Sequence, residues 1–556
     1  MLDDELKALP EALSEPVRAA LAELDWPAER PLPAGLARAW ALSDFVRQGC
    51  LRTPELLREL TEEGALERDR AREDYLRPAL ALAEDCAGDE AAMMSGLRRL
   101  RQKEMLRIAW RDLAGQASLE QTLFETSWLA EACLQAAEQW SRALLVARHG
   151  EPRDAEGRPQ HLVVLGMGKL GGEELNFSSD IDLVFAYPEP GRTDGARALD
   201  NQQFFTRQGQ VLIRLLNERT ADGFVFRVDM RLRPFGDSGP LVQHFEAMET
   251  YYLEHGREWE RYALVKARAV AGDPEAGAAL LARLEPFVYR RYLDYHTFHE
   301  LRALKAKIDR EARRRGREDD LKLGPGGIRE VEFIVQAFQI LRGGREARLR
   351  RRRLLEVLPE LARLGLLPAT ETQRLEAAYR FLRLAENHVQ MLRDEQRHDL
   401  PPPGPDRLRV ALAQGLDDEA AMVTELESLR GFVRARFEAV FGEPEAAEAE
   451  TGPADSDTVR ALLDGELDED ELRRWLAGRG LAEAGEAVAQ LRALGRGRAL
   501  RLLGQRGRAH LLRLLPLLVE AAAAQERPAE TLQRLLGLVE AVAGRSTYLA
   551  LLADHP

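Results

Sequence analysis

Strand-like texture is confined to one stretch of this chain. The runs "HLVVL" (161–165), "IDLVFAY" (181–187) and "FVFRVDMRL" (224–232) are short, rich in β-branched and aromatic residues, and bounded by Gly, Pro or Asp. On either side, apolar residues recur at helical spacing, as in "LEQTLFETSWLAEACLQAAEQW" (119–140). Between the last two runs, "NQQFFTRQGQVLIRLLNERT" (201–220) places Phe204, Phe205, Leu212, Leu215 and Leu216 where a helix would pack them on a sheet. So few strands support only a small sheet. The expected fold is α+β and predominantly helical, a compact sheet core flanked by helical bundles.

A chain of 556 residues exceeds what one core organises. The expected divisions are a helical region at 1–110, the sheet-bearing core at 111–300, a helical bundle at 301–441, a linker at 442–458 and a final helical stretch at 459–556. The linker, "GEPEAAEAETGPADSDT", is acidic, carries Gly and Pro and lacks any large apolar residue. The ending "RSTYLALLADHP" shows no tail or terminal cap, so the last helical stretch is expected to be truncated.

A net charge of −14 disfavours general nucleic-acid binding. The most apolar stretch, "LLRLLPLLVEAAAA" (511–524), is interrupted by Arg513, Pro516 and Glu520, so no membrane span is expected. Cys50, Cys86 and Cys133 are scattered and odd in number, which suits a reducing cytoplasm.

The chemistry concentrates in "GMGKLGGEELNFSSDIDL" (166–183). Gly166, Gly168 and Gly171 satisfy G-x-G-x-x-G literally. A dinucleotide site, however, needs an acid at the end of the second strand, and here Asp180 and Asp182 sit at its beginning. A Walker A loop fails as well, because no Gly-Lys-Ser/Thr follows. Asp180 and Asp182 are two apart on a predicted strand, so both carboxylates face one way. Held that close they repel each other unless a divalent cation joins them. In "FVFRVDMRL" the alternation puts Arg227, Asp229 and Arg231 on one face. Three carboxylates, Asp180, Asp182 and Asp229, are therefore the candidate catalytic and metal-binding groups, for Mg2+ or Mn2+. Two such ions clamp the entering and leaving oxygens of a displacement at phosphorus. Gly171 and Gly172 are candidates for close backbone approach to a polyphosphate. Lys169, Arg231 and Arg233 are candidates for contacting phosphate, and Ser179 for orienting the nucleotide. A lone D-x-D is more often a solvated strand edge; G-G, S-S-D-x-D-L and a later V-D-x-R together are far more specific.

That combination is the pattern of polymerase-β-like nucleotidyltransferases. More narrowly, "GMGKLGGEELNFSSDIDLVF", "RVDMRLRPFGDSGPLV" and "GGIREVEFIVQ" resemble the N-terminal half of the bifunctional glutamine synthetase adenylyltransferase family. In that family the N-terminal domain removes AMP from a glutamine synthetase tyrosine by phosphorolysis, and the C-terminal domain adds it from ATP. The resemblance covers about residues 30–440 and makes 459–556 the start of the central helical region. Only one S-S-D-x-D-L motif is present, so the adenylylating half is expected to be absent. The resemblance implies glutamine synthetase and the PII signalling protein as partners, with phosphate, ADP or ATP, and glutamine as small-molecule ligands. Adenylylation from ATP and nucleotidyl transfer to RNA ends are the alternatives that the same carboxylates allow.

Overall fold

The computed structural model describes residues 2–27, 29–289, 319–441, 458–462, 468–481, 485–496, 505–525 and 527–542. The expected linker lies outside them except for its last residue, as does the start of the expected 301–441 bundle. The described residues fall into two compact units, one drawn from the chain up to Tyr289 and from 319 to Phe441, the other from 458 onward.

The first unit is mostly helical. Six short helices, α1–α6, lie between Leu2 and Asp85, followed by α7 (Glu90–Leu113) and the 31-residue α8 (Leu119–His149). Side-chain caps set the starts of the long pair: Asp89 accepts from the Ala92 N–H and Ser118 from the Gln121 N–H. Gly150, at a φ of 81°, ends α8. Next come a one-turn helix, α9 (Gly168–Gly171), then α10 (Asn201–Asn217), and three short helices, α11–α13, between Phe245 and Val288. From 328 the unit closes with α14 (Ile328–Arg342), α15 (Leu354–Arg363), α16 (Ala369–Met391), α17 (Pro405–Ala413) and α18 (Glu419–Phe441).

The main sheet has the order β5-β3-β2-β7, formed by β2 (Val163–Gly166), β3 (Ile181–Tyr187), β5 (Val228–Asp229) and β7 (Arg268–Gly272). A further strand, β6 (Val242–His244), pairs with the far end of β3, while β1 (Pro152–Arg153) and β4 (Arg192–Thr193) form a separate ribbon. β2 is antiparallel to β3 and β7, whereas β5 and β6 run parallel to β3. Every residue of β3 is buried except Asp182, so the strand is covered on both faces and opens only near its beginning. The strand expected over 224–232 shrinks to Val228–Asp229. Beyond it, Pro234 and the positive φ of Phe235 and Gly236 turn the chain away from the sheet.

One buried cluster joins the N-terminal helical region to the sheet layer. Trp40 and Trp110 of the helical region belong to the same buried cluster as Phe185, Phe204 and Leu212 of the sheet layer, and Met391 at the end of α16 joins it. Deep in it, the Glu138 carboxylate on α8 accepts from Gln208 Nε2 on α10 at 3.0 Å, and burial pushes that carboxyl up to about 7.

The second unit has a core of its own, in which Leu472, Trp475 and Leu476 cluster with Leu491, Leu514 and Val519. The 511–524 stretch lies largely within its helix Gln505–Ala523. Among the described residues no helix is long and apolar enough to cross a membrane.

Candidate active site

The carboxylates meet at the opening of β3. In the parallel ladder Asp182 lies in register with Asp229, which makes them neighbours across two strands on one face of the sheet. Asp180 precedes the strand by one residue, and Ser179 Oγ lies 3.4 Å from its Oδ1. Burial, with Asp180 and Asp229 adding their charges, pushes the Asp182 carboxyl up to about 7; Lys322 and Arg231 pull the other way. The glycine turn passes directly over this acid. At Gly168, with a φ of 51°, a Cβ would stand 3.3 Å from Asp182 Oδ2.

Asp229 is already engaged. Arg231 Nε reaches Asp229 Oδ1 at 3.0 Å and Oδ2 at 2.8 Å, and the Arg231 N–H donates to Oδ1 at 2.8 Å. This guanidinium, exposed on its outer side, holds the Asp229 carboxyl below its ordinary range. Among the described residues no three His, Cys, Asp or Glu side chains form a ready metal cage.

Several residues expected at phosphate are committed to the protein itself. Lys169 is mostly buried, and its Nζ sits 3.1 and 3.0 Å from the two oxygens of Glu386 on α16. Burial would push Glu386 up, but Lys169, His398 and Arg383 hold it well below the usual carboxylate range. Gly171 faces protein and not an open anion pocket, since a Cβ there would overlap the carbonyl oxygens of Lys266 and Gly166. At Gly172 a Cβ would meet Glu174 Oε2 at 3.0 Å. Arg233 donates to the Met230 carbonyl at 2.7 Å and lies 3.5 Å from Asp237, tying off the turn after β5. Arg227 leaves the acid face and donates from Nη2 to the carbonyl and hydroxyl of Ser178. Of the five candidates for anion contact, Lys169, Gly171, Gly172, Arg231 and Arg233, only Arg231 stands exposed beside the carboxylates.

Lys322 was not anticipated. It stands in the turn "LKLGPGGIRE" leading into α14 and, ahead of Arg231, favours the charged form of Asp182. A lysine set among glycines ahead of a predicted helix was the available signal, but nothing local ties residue 322 to residue 182. Glu332, on α14, lies 3.0 Å from Lys266 Nζ, whose other partner is Glu174 at 2.7 Å.

The predominantly helical chain thus displays paired aspartates under a glycine turn at the edge of a small mixed sheet, with an exposed arginine at hand. Residues 34–283 match the glutamate-ammonia ligase adenylyltransferase family, and residues 302–441 match GlnD PII-uridylyltransferase. The chain belongs to the first of these families. Among its relatives are proteins named bifunctional glutamine synthetase adenylyltransferase/adenylyl-removing enzyme. The one from Thioalkalivibrio sulfidiphilus is 52% identical over 94% of this chain and 54% of its own length. That from Nitrosococcus oceani is 48% identical over 94% and 54%, and that from Pseudomonas aeruginosa 46% identical over 99% and 56%. The chain thus spans about half the length of the curated relatives it matches.

Proposed function

We propose that this chain removes AMP from an adenylylated tyrosine of glutamine synthetase by phosphorolysis, releasing ADP. The observation that carries the reading is the parallel register of Asp182 with Asp229, with Asp180 two residues upstream of Asp182. We assign residues 111–300 as a polymerase-β-like nucleotidyltransferase core on that basis, with helical regions at 1–110, 301–441 and 459–556 and a linker at 442–458.

In the reaction, an oxygen of inorganic phosphate forms a bond to the phosphorus of tyrosyl-AMP. The phosphorus–oxygen bond to tyrosine breaks, and the phenoxide departs with the electron pair and takes up a proton. The nucleophile is already anionic, and the leaving group has a pKa of about 10, so the principal barrier is charge crowding at phosphorus. Asp180 and Asp182 suit a divalent cation, Mg2+ or Mn2+, in charge and in oxygen chemistry. Their mutual repulsion, which adds to burial in raising the Asp182 carboxyl, is what a cation would relieve. Asp229 would join them by sharing its oxygens between the cation and Arg231. When bound, the metal supplies electrostatic stabilisation of charge on the transferring phosphoryl group. Arg231 and Lys322 are the side chains we assign to orient the incoming phosphate.

Removal is favoured over addition because an exposed arginine beside the carboxylates suits a small free anion, which adenylylation from ATP does not use as a nucleophile. The names of the relatives support glutamine synthetase as the substrate, and the match of 302–441 supports PII as a partner. Glutamine as an effector and a cytoplasmic setting complete the proposal. Incubation with adenylylated glutamine synthetase, Mg2+ and phosphate should yield ADP in proportion to tyrosine released. ATP-dependent labelling of glutamine synthetase without phosphate-dependent release would reverse the assigned direction, and transfer to RNA alone would replace the substrate.

A further inference from the structure

The segment Glu174–Ser179, which delivers the chain to Asp180, belongs to no helix or strand. Apart from two turn bonds, Glu174 N–H to Lys169 O and Ser179 N–H to Asn176 O, most of its backbone groups with partners are met by side chains from elsewhere. Leu175 N–H donates to Ser127 Oγ on α8 at 3.0 Å. Phe177 N–H donates to Asn387 Oδ1 at 3.0 Å, and Ser178 N–H to Gln390 Oε1 at 2.8 Å. The Arg383 guanidinium donates to the Glu174 carbonyl and, at 2.5 Å, to Asn176 Oδ1.

The last three clamps come from α16. With Glu386, which holds Lys169 of the glycine turn, they sit at positions i, i+3, i+4 and i+7, a single stripe along one helix face. All four side chains are fully buried. A buried polar stripe costs stability unless each member has a partner, and leucines would pack such a face with less demand. Asn387 is instructive, because its buried Nδ2 finds no hydrogen-bond partner among the described residues while its Oδ1 accepts from Phe177. An amide with its donor idle is there for its acceptor.

We infer that Arg383, Glu386, Asn387 and Gln390 of α16 are positioning residues: they fix the backbone that presents Asp180 and Asp182, and thereby set how tightly that acid pair holds a divalent cation. The inference rests on the cation-binding role proposed above for those aspartates. Neither Asn387 nor Gln390 touches a reacting atom, so their effect passes through the loop.

The test uses the whole chain and Mn2+ alone as probe, followed by electron paramagnetic resonance, with thermal unfolding of each variant in parallel. Gln390→Met removes the acceptor at nearly constant volume, and Gln390→Glu keeps it; Asn387→Leu and Asn387→Asp make the same contrast. The acceptor-less variants should bind Mn2+ about tenfold more weakly. Their kcat for ADP release should fall while KM for adenylylated glutamine synthetase stays unchanged. Gln390→Glu should return to within about twofold of the parent. Unchanged Mn2+ affinity in Gln390→Met, equal loss in Gln390→Glu, or a parent chain that binds no Mn2+ would each overturn the inference. A parent chain that binds Mn2+ but releases no ADP would instead sink the proposed phosphorolysis, and the Mn2+ titrations would still decide the role of α16.

Discussion

Asp182 bears an electrostatic cost that no other residue of β3 shares, since it alone sets a carboxylate against two others at a mostly buried position. Asp182→Asn removes that repulsion without changing shape. We expect ADP formation to fall by at least about a hundredfold, with the melting temperature unchanged or a few degrees higher. Near-normal Mg2+-dependent turnover in this variant would show that the site lies elsewhere. Glu138 is a second buried acid with no such use. Its folded pKa of about 7 lies above its unfolded value, so the stability it contributes is complete below about 4.5 and is lost as pH rises through 7. Glu138→Gln should therefore gain about 3 kcal/mol over the parent at pH 8, and the gain should largely vanish on titrating to pH 4.5. Calorimetry of both proteins across that range would expose a flat difference if the assignment is wrong.

At the level of elements, the turn from β2 through α9 depends on backbone clearance. Gly171→Ala drives a methyl into the Lys266 carbonyl where the chain enters β7, and should cost about 2–3 kcal/mol. Gly172→Ala meets only the ends of side chains in a right-handed conformation, and should cost about 1 kcal/mol or less. Equal melting temperatures for the two variants would refute this account. The glycines and aspartates were legible in the sequence because strand alternation and glycine geometry are local properties. The role of each glycine was not, since the atoms that Gly171 must avoid belong to residue 266. Lys169 illustrates the same limit: its charge suggested an anion, but its partner Glu386 lies 217 residues away. The sequence also placed a helical bundle at 301–441 without revealing that the polar stripe of α16 faces inward. Periodicity locates a face, and only the fold says what covers it.

Over the whole molecule, the two hydrophobic cores share no residue among those described. Of the seven tryptophans, Trp475 alone falls in the second unit. The fluorescence difference between the parent and Trp475→Phe should therefore report that unit by itself during urea unfolding. We expect its midpoint to differ from that of the remaining six tryptophans, and coincident midpoints would mean one cooperative system. The clamps on the 174–179 segment have a further consequence, in time and not in space. The side chains that hold Phe177 and Ser178 are encoded 210 and 212 residues downstream. At about 5–20 residues per second, a ribosome reaches them roughly 10–40 s after the glycine turn. Until α16 emerges, the strands and glycines of the site exist without the contacts that shape it. A nascent chain can thus complete most of its sheet while its acid loop is still unformed, and the capacity for chemistry arrives as a separate, later event in synthesis.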